Sequence, residues 1–137
     1  MYTYTTRLRV RYSETDRMGY AYYGNYATYF EVARVEALRN IGVNYRELED
    51  NGILLPVADF TIKYHKPAYY DDVLIIQVTV NQMPTAKIVF EYKTFNEHQV
   101  LLCTGSTTLV FVDKETGKPR PAPKDVIQKL NDYVATN

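Results

Sequence analysis

Asp16 lies in a polar loop, Ser13-Glu14-Thr15-Asp16-Arg17-Met18-Gly19, and a run with helical spacing begins nine residues after it at Asn25. The first N–H groups of a helix have no internal acceptors and carry partial positive charge. A buried helix start of this kind can receive a carbonyl oxygen and the oxyanion formed from it. A carboxylate beside it can attack the carbonyl carbon, or activate the water that does. Thioester hydrolysis suits so small a set of groups. Its leaving thiol, with a pKa of about 8.5 by analogy with cysteine, departs as thiolate without a strong general acid. No Ser-His-Asp set accompanies the loop. Asp16 taken alone also fits a turn or cap residue, a common use of aspartate. Glu14 and Asp16, two apart, would suit a glycosidase-like pair of carboxylates, but the chain has no tryptophan to stack on a sugar.

The elements that must position this loop follow from periodicity. Thr3 to Tyr12 alternates as a first strand, with Leu8, Val10 and Tyr12 expected on one face. From Asn25 to about Ile41 the apolar residues Tyr26, Tyr29, Phe30, Ala33, Ala37, Leu38 and Ile41 recur at helical steps, and Gly42 suits the C-terminal stop. Val32 and Val35 fall off that stripe, so the helix needs cover on several sides. A short helix over Tyr45 to Asp50 follows. Strands are expected at Phe60 to Tyr64, Val73 to Val80, Ala86 to Thr94 and Val100 to Val112, joined by short turns and therefore forming an antiparallel meander of at least four strands. A final amphipathic helix spans about Lys124 to Val134. One long apolar helix and a meandering sheet each need the other's apolar face. The predicted class is α+β, a five-stranded antiparallel sheet wrapped around a long central helix, which is the hotdog arrangement.

Bulk properties narrow the function. The chain has 137 residues, 46% hydrophobic and 23% charged, and its sixteen basic and sixteen acidic residues cancel. One domain spanning 1–137 is expected. The balanced charge leaves no footprint for nucleic acid or an anionic membrane. The N-terminus has no apolar signal core and no segment reaches membrane length, so a cytoplasmic protein without membrane insertion is expected. Cys103 is a lone cysteine in a strand-like run and reads as packing. His65 and His98 have no partners at zinc-ligand spacing, and neither metal nor cofactor is expected.

The segment Asp16, Gly19, Tyr23, Asn25, Tyr26 resembles the opening motif of the acyl-CoA thioesterases of the 4-hydroxybenzoyl-CoA thioesterase family, nearest the short bacterial enzymes associated with the Tol–Pal system. Tyr64-His65-Lys66-Pro67-Ala68 before Asp71-Asp72-Val73-Leu74, and Leu109 to Asp113 through Thr116 to Pro121, extend the likeness over about Thr6 to Pro123. The resemblance implies an acyl-CoA thioesterase with Asp16 as nucleophile or general base. It implies a carbonyl-polarising N–H near Tyr23, and Gly24, Asn25 and Tyr26 shaping the turn that receives the substrate. Lys66, Lys118 and Arg120, with Lys63, are candidates to hold CoA phosphates. Tyr23 stands where many Tol–Pal-associated members carry histidine; the aromatic-acyl branch has tyrosine there. The crowd of tyrosines from Tyr20 to Tyr29 suits a pocket for an apolar or aromatic acyl group. The family also implies a homodimer or a dimer of dimers (a homotetramer). A hotdog dehydratase and a non-catalytic acyl-CoA-binding module are the alternatives.

Overall fold

The computed structural model describes residues 1–136, with side chains through 134. Eight elements matter to the site. They are β1 (Tyr2–Arg9), α1 (Asn25–Asn40), α2 (Tyr45–Asp50), β2 (Ile53–Leu54), β3 (Val57–Tyr64), β4 (Val73–Val80), β5 (Lys87–Phe95) and β6 (Leu101–Val110). A short β7 (Val112–Asp113) and α3 (Lys124–Thr136) complete the chain. Five strands form one antiparallel sheet in the order β1-β4-β5-β6-β3, and β2 pairs with β7 separately.

Register puts the apolar positions of all five strands on one face. Leu8 faces Leu74, Val78 faces Tyr92, Tyr92 faces Gly105, and Gly105 faces Ile62. Along β4 and β5 these positions are buried while their neighbours are partly or fully exposed, the period-2 signature of a half-covered sheet. Helix α1 packs against β1 and β4. From it Phe30 stacks on Tyr92 of β5, with centroids 4.1 Å apart and planes 3° from parallel. The α1 residues Tyr26, Tyr29, Phe30, Ala33, Ala37 and Leu38 are all buried, as their spacing predicts. Gly42 takes φ +87° just past its end, the left-handed position where glycine is favoured.

Three expectations change. The first strand ends at Arg9; Tyr12 starts a single 3-10 turn and is 76% exposed, not a core residue. Val10 is fully buried outside the strand, its N–H donating to the Asp72 carbonyl. The meander covers β4, β5 and β6 only, because β3 crosses to the far edge beside β6. The last long strand breaks at Val110 before β7. Cys103 is buried, and burial pushes its thiol up to about 11, which leaves it inert at neutral pH. No helix among the described residues is long and apolar enough to cross a membrane.

Candidate active site

The loop between β1 and α1 folds back on itself. Thr15 and Ala21 form an antiparallel bridge, and Asp16 exchanges backbone contact with Tyr20, its N–H donating to that carbonyl at 2.8 Å. Gly19, at φ +80°, makes the turn between them. The Asp16 carboxylate accepts from the N–H groups of Met18 (2.9 Å) and Tyr20 (3.2 Å), both through Oδ1. Its other oxygen makes no hydrogen bond with any described residue. The capping use of aspartate and a free carboxylate oxygen therefore coexist in one residue.

Glu14 holds this loop to α1. Its carboxylate accepts from the Arg11 N–H at 2.8 Å, from the Arg11 guanidinium at 2.8 and 3.0 Å, and from the Tyr29 hydroxyl at 3.0 Å. Its carbonyl accepts from the Tyr22 N–H and the Asn25 side-chain amide. Asn25 is thus the residue that ties the helix start to the loop, a structural role. Burial pushes the Glu14 carboxyl up, but Arg11 and the Tyr29 hydroxyl outweigh it and hold the group below its ordinary value. A depressed folded-state value stabilises the fold above the unfolded value, about 4.3, and that contribution disappears as pH falls through the folded value. Glu14→Gln is therefore expected to melt lower than wild type at neutral pH, with the gap narrowing as acid takes the pH below the unfolded value and through the depressed folded one. Thermal melts across pH check this; a gap that persists in acid contradicts it.

A cleft of about 290 Å³ opens beside the loop, lined by Asp16, Met18, Tyr20, Tyr23, Tyr26 and the Tyr64 to Ala68 segment. Four of the residues singled out by sequence meet here: Asp16, Tyr23, Tyr26 and Lys66. Tyr23 is 64% exposed and Tyr26 is buried. Burial keeps the Tyr26 phenol well above its usual range, so it is a neutral wall of the cleft. Gly24 and Asn25 stand at the first turn of α1, where Asn25 and Tyr26 donate their N–H groups back to Tyr22 and Tyr23. The N–H groups of Tyr23 and Gly24 have no acceptor among the described residues. Two adjacent unpaired donors at a helix N-terminus are the equipment of an oxyanion site.

Lys118 and Arg120 do not join the cleft of the same chain. They follow β7, where Arg120 donates from its N–H to the Phe111 carbonyl and from Nε to the Pro121 carbonyl. Cys103, opposite Tyr64, and Phe111 are separated by roughly 26 Å of strand at about 3.3 Å per residue. Glu14 does not line the cleft either, since its carboxylate is committed to Arg11 and Tyr29, which removes the paired-carboxylate arrangement. Sequence reasoning placed Tyr64 on a strand and in a family-like segment but gave it no role; its hydroxyl donates to the Tyr23 carbonyl at 3.1 Å and fixes the peptide ahead of α1. Its signal was the alternation Phe60, Ile62, Tyr64, which put it on the α1 side of the sheet.

The profile of the thioesterase-like superfamily matches residues 10–130. The chain belongs to this superfamily. It is 32% identical over 123 residues to the acyl-CoA thioester hydrolase YbgC of Escherichia coli O157:H7, covering 90% of this chain and 92% of that one. It superposes on a DHNA-CoA thioesterase from Staphylococcus aureus with a TM-score of 0.92 at 35% identity, over 100% of this chain and 94% of the other. A 1,4-dihydroxy-2-naphthoyl-CoA thioesterase from Synechocystis, 22% identical with a TM-score of 0.88, shares the fold over 95% of this chain and 96% of its own. The expected family resemblance is borne out, as is the hotdog class at the level of an α+β chain with a five-stranded antiparallel sheet.

Proposed function

We propose that this thioesterase-like chain hydrolyses acyl-CoA, of short to medium chain or aromatic acyl group, at the cleft beside Asp16. The observation that carries the reading is that Asp16, with a free carboxylate oxygen, and Tyr23, whose N–H and that of Gly24 after it are unpaired at the start of α1, line one cleft. The thioester carbonyl oxygen accepts from the Tyr23 and Gly24 N–H groups, which meet the negative charge that develops there. Asp16 attacks the carbonyl carbon, or removes a proton from the water that attacks it. The C–S bond breaks, CoA leaves as thiolate, and one water is consumed to give the carboxylic acid. Tyr26 and the exposed Tyr23 ring border the acyl group, and Lys66, which pairs with no carboxylate among the described residues, suits a CoA phosphate. Thiol release from a panel of acyl-CoAs tests the reading, with Asp16→Asn as the decisive comparison. A panel inert throughout refutes it.

The sheet, in this reading, wraps α1 as the long central helix of a hotdog. Strand β3 lies at an edge with one row of backbone groups unpaired, and Val57, Phe60 and Tyr64 on it are 46%, 37% and 45% exposed. An edge this long and apolar calls for a cover. Antiparallel pairing of β3 with a second copy supplies one, and carries each cleft next to the partner subunit. Gel filtration with light scattering is expected to give a dimer or a dimer of dimers; a stable monomer at micromolar concentration removes the pairing.

A further inference from the structure

A second polar feature lies away from the Asp16 cleft. Arg34, on α1, is 5% exposed, yet no carboxylate comes within ion-pair distance of it among the described residues. Its Nε and the Tyr45 hydroxyl on α2 are buried with no hydrogen-bond partner. Arg34 faces the Tyr45 and Tyr92 hydroxyls, but neither brings a counter-charge, and the Tyr92 hydroxyl is also shared with Thr107 Oγ1 at 2.5 Å. A guanidinium cannot shed its proton, and burying one without a counter-charge is strongly unfavourable. Arg34 and Tyr45 line a cavity of about 290 Å³ between α1, α2 and the β2–β3 segment, whose apolar walls are Leu48, Ile53 and Leu55.

We propose that this cavity binds a monocarboxylate with a compact apolar or aromatic body, its carboxylate held by Arg34 and the Tyr45 hydroxyl. The guanidinium fork matches a carboxylate in geometry and charge. The walls require the rest of the ligand to be apolar. Glu31 and Glu49 also line the cavity, but both are exposed and water screens their charge; the repulsion that remains weighs about twice as heavily on a phosphate dianion as on a monocarboxylate. Such acids are the chemical class released by thioester hydrolysis, whereas the thioester itself carries no charge at that carbon. The site would therefore distinguish product-like acids from substrate. Its occupancy does not depend on Asp16.

Titration calorimetry of the intact protein with benzoate, and with benzamide as its neutral match, tests the site. Benzoate is expected to bind at least about tenfold tighter than benzamide, as loss of a charge-assisted hydrogen bond implies. Arg34→Met is expected to weaken benzoate by about tenfold or more, and Tyr45→Phe by several-fold. Asp16→Asn is expected to bind benzoate as wild type does, which separates this site from the proposed active site. Circular dichroism establishes that each variant is folded. Should Arg34→Met not fold, Tyr45→Phe and the benzamide comparison decide. Equal affinity for benzoate and benzamide, benzoate binding indifferent to both substitutions, or no benzoate binding at millimolar concentration each overturns the proposal.

Discussion

Asp16→Asn is expected to slow thiol release by about 10²- to 10⁴-fold in kcat, the usual worth of a positioned base, with little change in KM. Its melting temperature is expected to stay within about 1 °C of wild type. The two expectations come from different atoms of one side chain. Oδ1 accepts from the Met18 and Tyr20 N–H groups, and an asparagine carbonyl oxygen keeps both bonds in the same geometry. The other position changes from a charged oxygen to an amide nitrogen, which neither attacks a carbonyl nor takes a proton from water. Asp16→Ala removes both functions, so it should lose activity and also about 1 kcal/mol of loop stability. Comparing the two substitutions separates chemistry from turn formation. An asparagine variant that turns over acyl-CoA at the wild-type rate ends the catalytic assignment, whatever its stability.

The cleft was legible in the sequence to the extent that its residues are close in the chain or carried by alternation. Asp16, Tyr23 and Tyr26 fall within one loop and one helical turn, so spacing alone places them near each other. Lys66 reaches them from β3 because Tyr64 to Ala68 follows an edge strand whose apolar side faces α1. Lys118 and Arg120 follow a strand that begins near the cleft and runs away from it, a direction that composition does not encode. Glu14 was harder still. A glutamate two positions from a candidate base reads as a chemical partner, yet tertiary contacts with Arg11 and Tyr29 commit it to holding the loop. Tyr12 shows the same limit: its alternation with Val10 persists after the strand has ended, so the pattern outruns the structure. The pairing of β3 with β6 rather than β4 lies beyond local reasoning, since the segment between β3 and β4 is short enough to suggest neighbours.

What keeps α1 aligned with the cleft is a close approach at Gly105, and this carries the largest expected effect on stability. Gly105 lies opposite Tyr92 on one side and Ile62 on the other, on the face that α1 covers. A Cβ there would come 2.8 Å from Phe30 Cε2 and 2.8 Å from the Thr61 carbonyl oxygen. Phe30 cannot retreat simply, because its ring is stacked on Tyr92 and lies 5.9 Å from Phe60. The Thr61 oxygen belongs to the backbone of β3 and moves only with the strand. Gly105→Val is therefore expected to destabilise the fold by about 3 kcal/mol, at the upper end for overpacking, lowering the melting temperature by roughly 10 °C. Gly105→Ala should show a smaller part of the same loss. The effect should also reach the chemistry, because Tyr26 lies one helical turn before Phe30 and touches its ring edge. Any rotation of α1 that relieves the clash moves the helix start where the Tyr23 and Gly24 donors stand. Reduced thiol release in the folded fraction of Gly105→Ala would follow from that displacement. A valine variant melting within about 1 °C of wild type would mean that the helix–sheet spacing is looser than these contacts require.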